Sequence, residues 1–471
     1  MSKQNGEYKE GLERGLSERH IQLIALGGAI GVGLFLGSSK AINTAGPALL
    51  LAYAFGGIMM YVIMRALGEL AVSHPISGSF AAYANKFIGP LSGYLTGWTY
   101  WFMWIVTCMA EITAVGVYMK FWFPDLPQWL PALAALAIMT AVNMVAVKFY
   151  GEFEFWFALI KVVTIIAMLV IGTLMIVFGI FHGGQPIGFS NLWSHGGFFA
   201  KGITGPIMAM VMVSFAYLGI ELIGVTAGEA QNPEIVIPSA IDKVLWRILV
   251  FYIGALTVIM SIFPWTEIGT SGSPFVLVFS GIGIKSAAGI INFVVLTAAM
   301  SSCNSGIFST GRMLYNLSQQ GEAPKSFVKL SSQQVPTNAI RVSAAVMLVG
   351  VLLNYVLPEK VFTYLTSIAT FAAIWTWAVI IISQMNFRKS LSLDQIKKLK
   401  YPMFAFPIAN YIALIFLFFV IIIMWFDPDT RIALFVGPIW LAILTVIYYA
   451  AGINKVVIDE SIKTTDLEDV N

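Results

Sequence analysis

Charge is the first thing this chain lacks. Lysine, arginine, aspartate and glutamate make up 11% of its 471 residues, while 58% are hydrophobic. A soluble domain is about a quarter charged and near half apolar, so the composition points to a membrane protein. The net charge of +3 is small and suggests no nucleic-acid partner. Cysteine is nearly absent. Cys108 and Cys303 both lie deep in apolar runs and read as small core residues with reduced thiols, not as a disulfide. The four histidines (His20, His74, His182, His195) sit near or between apolar runs, and no pair has metal-ligand spacing. No His/Ser/Asp or metal constellation lies within the runs, which argues against a membrane enzyme. The polar N-terminus, MSKQNGEYKEGLERGLSERH, lacks the apolar stretch of a cleaved signal peptide.

Long apolar runs are what the chain has in abundance. About 20 apolar residues cross a bilayer as a helix. Twelve such runs are present: 21–42, 47–70, 94–122, 130–150, 155–180, 202–225, 246–266, 286–312, 337–357, 361–386, 403–426 and 431–453. Backbone groups in lipid must be satisfied internally, so runs this long fit a helical bundle and not a barrel. The expected fold class is an all-α integral membrane protein. An even number of spans puts both termini on one side. Twenty of the 27 basic residues fall in the tails and loops of that side; Lys40, Lys120, Lys201, Lys285, Lys360 and Arg431 fall opposite. By the positive-inside rule both termini are expected in the cytoplasm. Between the second and third runs, Phe80, Tyr83, Phe87 and Ile88 share a helical face in a segment too short to span, the pattern of an interfacial helix. Trp98, Tyr100, Trp101, Phe102 and Trp104 read as an interfacial aromatic belt.

Two runs look interrupted. The first, LIALGGAIGVGLFLGSS, carries Gly27, Gly28, Gly31, Gly33 and Gly37. The sixth, MVMVSFAYLGIELIGVTAGEAQNPE, carries Gly219, Gly224 and Gly228 with Glu221 among them. Runs one to five and six to ten each hold an odd number of spans, so the second set is inverted relative to the first. Glycine-interrupted helices at matching places of two halves point to a transporter binding site. Where a helix unwinds at mid-membrane, each unpaired backbone group costs several kcal/mol. A zwitterionic amino acid supplies both partners. Its carboxylate takes N–H groups at Gly31–Gly33, at the positive end of a half-helix; its ammonium takes the carbonyls of Phe215, Ala216 and Leu218. The competing reading makes Gly27-x-x-x-Gly31 and Gly33-x-x-x-Gly37 packing motifs. A dinucleotide fingerprint is excluded, because position 36 is leucine and no strand precedes it.

Mid-membrane ionisable groups are functional by default. Glu111 (TCMAEITAVG), Lys161 (FALIKVVTII) and Glu221 are the candidates for a coupling proton; the alternative for each is a buried structural pair. Glu69, near the end of the second run, is explained by snorkelling or by a buried structural pair. The Lys161 ammonium is expected against carbonyls of the first helix and the hydroxyls of Ser301 and Ser302. The eighth run, VVLTAAMSSCNSGIFSTGRML, is rich in small and hydroxyl residues that pack or line a pathway.

The stretches GGAIGVGLFLGS, FAYLGIELIGVTAGEAQNPE, AAMSSCNSGIFSTGRMLYNLSQQGEAPK and GEFEFWFALIKV resemble the amino acid transporter branch of the amino acid–polyamine–organocation superfamily. The resemblance runs over about 15–450, in order and spacing. It implies a leucine-transporter type fold of 12 transmembrane helices, two inverted five-helix repeats plus two extra helices. The chain then divides into a cytoplasmic tail (1–20), a first repeat (21–180), a second repeat (202–386), two extra helices (403–453) and a cytoplasmic tail (454–471). GWTYWFMWIVTCMAEITAVGVYMKFWFPDLPQW and FVVLTAAMSSCNSGIFSTGRML look most like D-serine/D-alanine/glycine permeases, with alanine, proline and threonine permeases near. The resemblance implies carboxylate binding at Ile30, Gly31, Val32 and Gly33, ammonium binding at Phe215, Ala216 and Leu218, a side-chain pocket near Glu111, and Lys161 at a sodium-like position. Val32 stands where many relatives have threonine. Glu111 stands where D-serine-type permeases carry aspartate and aromatic permeases glutamate.

The expected function is import of small neutral amino acids (alanine, glycine, serine, D-isomers) with protons across the plasma membrane by alternating access. Transport of proline, threonine or aromatic amino acids, or amino acid exchange, are the alternatives. A non-transporting nutrient sensor is disfavoured by tails of about 20 residues each. No cofactor is called for. The partners are the amino acid, a proton and the lipid bilayer, and the sequence sets no oligomeric state.

Overall fold

The computed structural model describes residues 30–76, 78–145, 147–225, 232–269, 272–281 and 285–453. Both charged tails, Gly27 and Gly28 of the first run, and Gly228 lie outside the described residues. Within them the regular structure is helical, with no strand. In chain order the principal helices are α1 (Val32–Phe35), α2 (Gly37–Ala45), α3 (Leu49–Ser73), α4 (Ser79–Phe87), α5 (Pro90–Met119), α6 (Trp129–Val145), α7 (Val147–Phe178), α8 (Met210–Ala216), α9 (Leu222–Val225), α10 (Pro233–Ile262), α11 (Lys285–Gln319), α12 (Thr337–Val356), α13 (Val361–Ser390), α14 (Leu393–Lys397), α15 (Ile408–Phe426) and α16 (Ala433–Ala450).

Among the described residues, nine helical stretches are long and apolar enough to cross a membrane. They fall short of the twelve runs at three places. The first two runs are joined by only the short turn Gly46–Ala48 and form one stretch, Gly37–Ser73. The fourth, α6, has 17 residues. The sixth is broken into Thr204–Met208, α8 and α9. Helix starts follow the local chemistry: Pro90 opens α5 after Gly89 at φ 144, a placement where the missing N–H costs nothing.

The helices sort by burial. In α5 and α11, 83% of the most apolar window is buried; in α16 only 22% is. The outer helices present large apolar side chains such as Ile415, Phe418 and Val446, as lipid-facing helices do. The central place of α5 corrects the aromatic belt. Tyr100, Trp101 and Trp104 are buried in the bundle, Trp101 Nε1 donates to Ser343 Oγ at 2.9 Å, and Phe102 stacks on Trp440 at 4.5 Å. The segment after α3 does form a helix, α4. However, its Phe80 and Tyr83 are buried against the protein and it packs on α5 and α13, while Ile88 just past it is exposed.

Of the two readings of Glu69 the buried pair is the one present, and snorkelling is corrected: its side chain is fully buried. Arg388 of α13 forks onto it, Nε to Oε1 at 2.6 Å and Nη2 to Oε2 at 2.7 Å. Gln384 Nε2 and the Met403 N–H donate as well. A buried carboxylate needs such compensation. Cys108 and Cys303 are free thiols, and Cys108 Sγ donates to the Cys303 carbonyl at 3.6 Å.

Candidate functional site

The two interrupted runs meet. Gly31 is extended (φ −118°, ψ −159°) and α1 begins at Val32. Leu34 and Phe35 already bond back to the Gly31 carbonyl, so the N–H groups just before them are first-turn donors with no helical acceptor. In the second run α8 ends at Ala216, and Gly219 turns the chain at φ 95° before α9; that left-handed conformation favours glycine. A Cβ on Gly33 would come within 2.6 Å of Ala216 Cα, and one on Gly37 within 2.6 Å of Met212 Sδ. Met212 and Ala216 lie one turn apart, as do Gly33 and Gly37. The packing reading therefore holds for Gly33-x-x-x-Gly37, and this packing is what joins the two breaks.

Gly31 faces elsewhere. A Cβ there would meet Glu111 Oε1 at 2.7 Å and Ser302 Oγ at 3.1 Å. The Val32 N–H points to Glu111 Oε1 at 3.5 Å, and Glu111 Oε2 is buried without a hydrogen-bond partner. On the other side of the break, Lys161 Nζ donates to the Ile30 carbonyl at 3.2 Å. The expected carbonyl contact of Lys161 is thus present. The Ser301 hydroxyl goes instead to Glu154, donating to its carboxylate at 3.0 Å. Glu111, Glu154 and Lys161 are all buried, and both carboxylates lie within electrostatic reach of the ammonium.

Glu154 is absent from the sequence-based candidates. Its signal was spacing: it precedes Lys161 by seven residues on α7, two helical turns, so both side chains share a face. Tyr252 was absent too. Its hydroxyl donates to the Ala216 carbonyl at 2.9 Å, in one long helix (α10) that gave no motif. The Phe215 carbonyl accepts the Leu218 N–H at 3.0 Å. No hydrogen bond from a described group reaches the Leu218 carbonyl. The three expected carbonyls are therefore unequal, and Leu218 is the open one.

Glu221 sits on the second break and closes it. It is fully buried. Both its oxygens lie 3.2 Å from the Gly219 N–H, and Trp377 Nε1 donates to Oε2 at 3.4 Å.

A cavity of about 370 Å³ opens between α2, the residues 208–215, α13 and the loop 427–430. Met212, Phe215, Thr366, Thr370, Lys40 and Asp429 line it. Phe215, one residue before Ala216, connects this cavity to the breaks, and its ring meets Phe362 edge-on at 6.5 Å. No cluster of His, Cys, Asp and Glu fit for a metal occurs among the described residues.

Comparison with known proteins gives matches over nearly the whole chain. Residues 20–457 match the family described as amino acid permease. An uncharacterized amino acid permease of Bacillus subtilis, YtnA, is 62% identical over 95% of this chain and 97% of its own length. The probable threonine/serine transporter YbxG of the same organism is 53% identical over 94% and 96%. The aromatic amino acid transport protein AroP of Escherichia coli O6:H1 is 44% identical over 94% and 96%.

Proposed function

The chain belongs to the amino acid permease family, and from that premise we propose that it imports small neutral amino acids (alanine, glycine and serine, with D-isomers) together with protons. It is a multi-pass membrane transporter and not an enzyme. The reading extends to a plasma-membrane location with both termini in the cytoplasm, and to two inverted repeats, 21–180 and 202–386, followed by two further helices.

One observation carries the proposal: the abutment of the two broken helices at Gly33 and Ala216, with open backbone groups beside buried charge. The substrate carboxylate takes the N–H groups from Ile30 to Gly33, through main chain alone, since Val32 has no hydroxyl. The carboxylate of Glu111 already lies against the Val32 N–H, which supports a site that receives this group. The ammonium takes the Leu218 carbonyl, with those of Phe215 and Ala216 beside it. The cavity ending at Phe215 gives the approach from outside.

Proton coupling follows from charge balance. One ammonium, Lys161, stands among two carboxylates, Glu111 and Glu154. An unmatched buried charge is costly, so a proton on Glu111 or Lys161 changes which conformation is favoured. Glu221, bonded to the break itself, is a third candidate. The relatives named for threonine/serine and aromatic substrates keep threonine and aromatic transport as second readings, beside proline transport and exchange as alternatives.

The test is uptake of labelled alanine by the full chain in proteoliposomes with an inward proton gradient, against unlabelled D- and L-amino acids. Accumulation should end when the gradient is collapsed, and small neutral amino acids should compete. Accumulation that survives collapse overturns proton symport. Competition only by proline or aromatic amino acids overturns the substrate class.

A further inference from the structure

The pair Glu69–Arg388 lies where α13 ends, and the chain after it is strapped over the same end of the bundle. One edge of this strap is held by protein. Arg388 Nη2 and Arg65 Nη2 donate to the carbonyls of Met403 and Pro402 at 3.3 Å and 2.7 Å. The Tyr401 hydroxyl donates to Asp242 Oδ1 at 2.6 Å, and Lys400 Nζ to Glu234 Oε2 at 2.5 Å.

The other edge is not held in this way. Lys389, Lys397 and Lys398 are exposed, and Lys397 has only a solvent-exposed partner, Asp394, at 3.6 Å. Lys86 adjoins them: the Asn386 amide donates to the Phe87 carbonyl at 2.9 Å, and the Phe87 and Phe387 rings lie 5.3 Å apart. Exposed apolar side chains frame these cations. Leu393 on α14, four residues before Lys397, is 79% exposed, and Ile88, two residues past Lys86, is 40% exposed. α14 carries a capping box between Ser392 and Gln395, so the exposed leucine is presented on formed structure.

Cations framed by bare apolar side chains, at the ends of spanning helices, match the boundary between headgroups and acyl chains. We propose that the strap 389–400, with Lys86, is a docking surface for anionic phospholipid headgroups, and that a bound headgroup holds the strap, and with it Arg388, against Glu69 of α3. The charge selects the occupant: Lys389, Lys397 and Lys398 face a single acid, Asp394, on the strap itself, while Lys400 is already paired with Glu234. Each basic residue near an anionic leaflet strengthens binding by about fivefold. The inference is independent of the substrate reading.

The experiment is thermal unfolding of the full chain in detergent with added phosphatidylglycerol or phosphatidylcholine. Phosphatidylglycerol should raise Tm by about 3 °C over phosphatidylcholine, and high salt should remove the rise. The variant K86Q/K389Q/K397Q/K398Q should lose the rise while keeping its Tm in detergent alone. If that variant folds poorly, K389Q/K398Q serves, because neither side chain bonds another described group; it should lose about half the rise. An equal rise in the variants, or with phosphatidylcholine, overturns the proposal. So does protection by polyglutamate in place of lipid, which assigns the surface to an acidic protein, or a dimer on light scattering that the substitutions abolish.

Discussion

At the first break, Ile30 to Val32, the freed backbone groups face side chains from other helices. Lys161 of α7 takes the Ile30 carbonyl and Glu111 of α5 lies against the Val32 N–H. At the second break the chain caps its own N–H: the carboxylate of Glu221, two residues past Gly219, receives the Gly219 N–H, and no hydrogen bond from a described group reaches the Leu218 carbonyl. A helix end satisfied by distant charged groups changes when those groups move or take a proton. A helix end satisfied largely from its own segment depends less on the rest of the bundle, here on the neutral groups Tyr252 at the Ala216 carbonyl and Trp377 at Glu221. The first break is thus the more responsive one and the second the less.

The largest effect tests where the two breaks touch. Gly33→Leu places a side chain on the Ala216 main chain, 2.6 Å away, and neither backbone has room to give. Uptake should fall by about 100-fold or more, as for other sub-ångström displacements of a site, while membrane insertion persists. Gly37→Ala meets only the flexible Met212 sulfur at the same distance, and should cost a fewfold at most. Equal losses in the two variants would mean that packing, not the meeting of the breaks, is what the glycines serve.

Lys161→Gln comes next. It keeps an amide donor for the Ile30 carbonyl and removes the cation between Glu111 and Glu154. Breaking a buried pair costs about 3–5 kcal/mol, so the unfolding midpoint and uptake should both drop. A variant with unchanged midpoint would show that Lys161 and the two acids are not balanced against one another.

The polar part of the site was only half legible before the structure. Glycine spacing at matching places of the two halves exposed both interruptions, although at Gly33 and Gly37 the same glycines also serve packing. The charges at Glu111, Lys161 and Glu221 stood out against lipid. Glu154 did not, because it falls at the edge of a run, where acids are ordinary. Tyr252 and Trp377 did not, because aromatics are common in every span. The Glu69–Arg388 pair joins residues more than 300 positions apart in the sequence, and no local pattern encodes a partner at that range. The belt on α5 misled for a related reason: periodicity shows that a face is apolar, not whether lipid or protein covers it.

Isosteric neutralisation separates the two breaks at a smaller scale. Glu111→Gln should flatten the pH dependence of uptake or change the preferred substrate. Glu221→Gln keeps an oxygen for the Gly219 N–H and should change the pH profile less than Glu111→Gln does, with about 1 kcal/mol lost from the weakened cap. The reverse pattern in the two uptake profiles would exchange the roles of the breaks.

A fifth buried carboxylate, outside both breaks, supplies the control. Glu322 follows α11. Its carbonyl accepts from Trp98 Nε1 at 3.2 Å, while its Oε2 has no hydrogen-bond partner. Burial pushes its carboxyl up to about 8. Between the ordinary carboxylate range and that value, the folded chain keeps a proton that the unfolded chain has lost. Stability from this group is therefore full below about pH 4 and is lost as pH rises through about 8. Glu322→Gln should remove that loss, giving a midpoint that falls less from pH 5 to 8 than in the unmodified protein. Its uptake profile against pH should stay the same. If instead Glu322→Gln flattens uptake as strongly as Glu111→Gln, the pH response belongs to global stability and not to the first break.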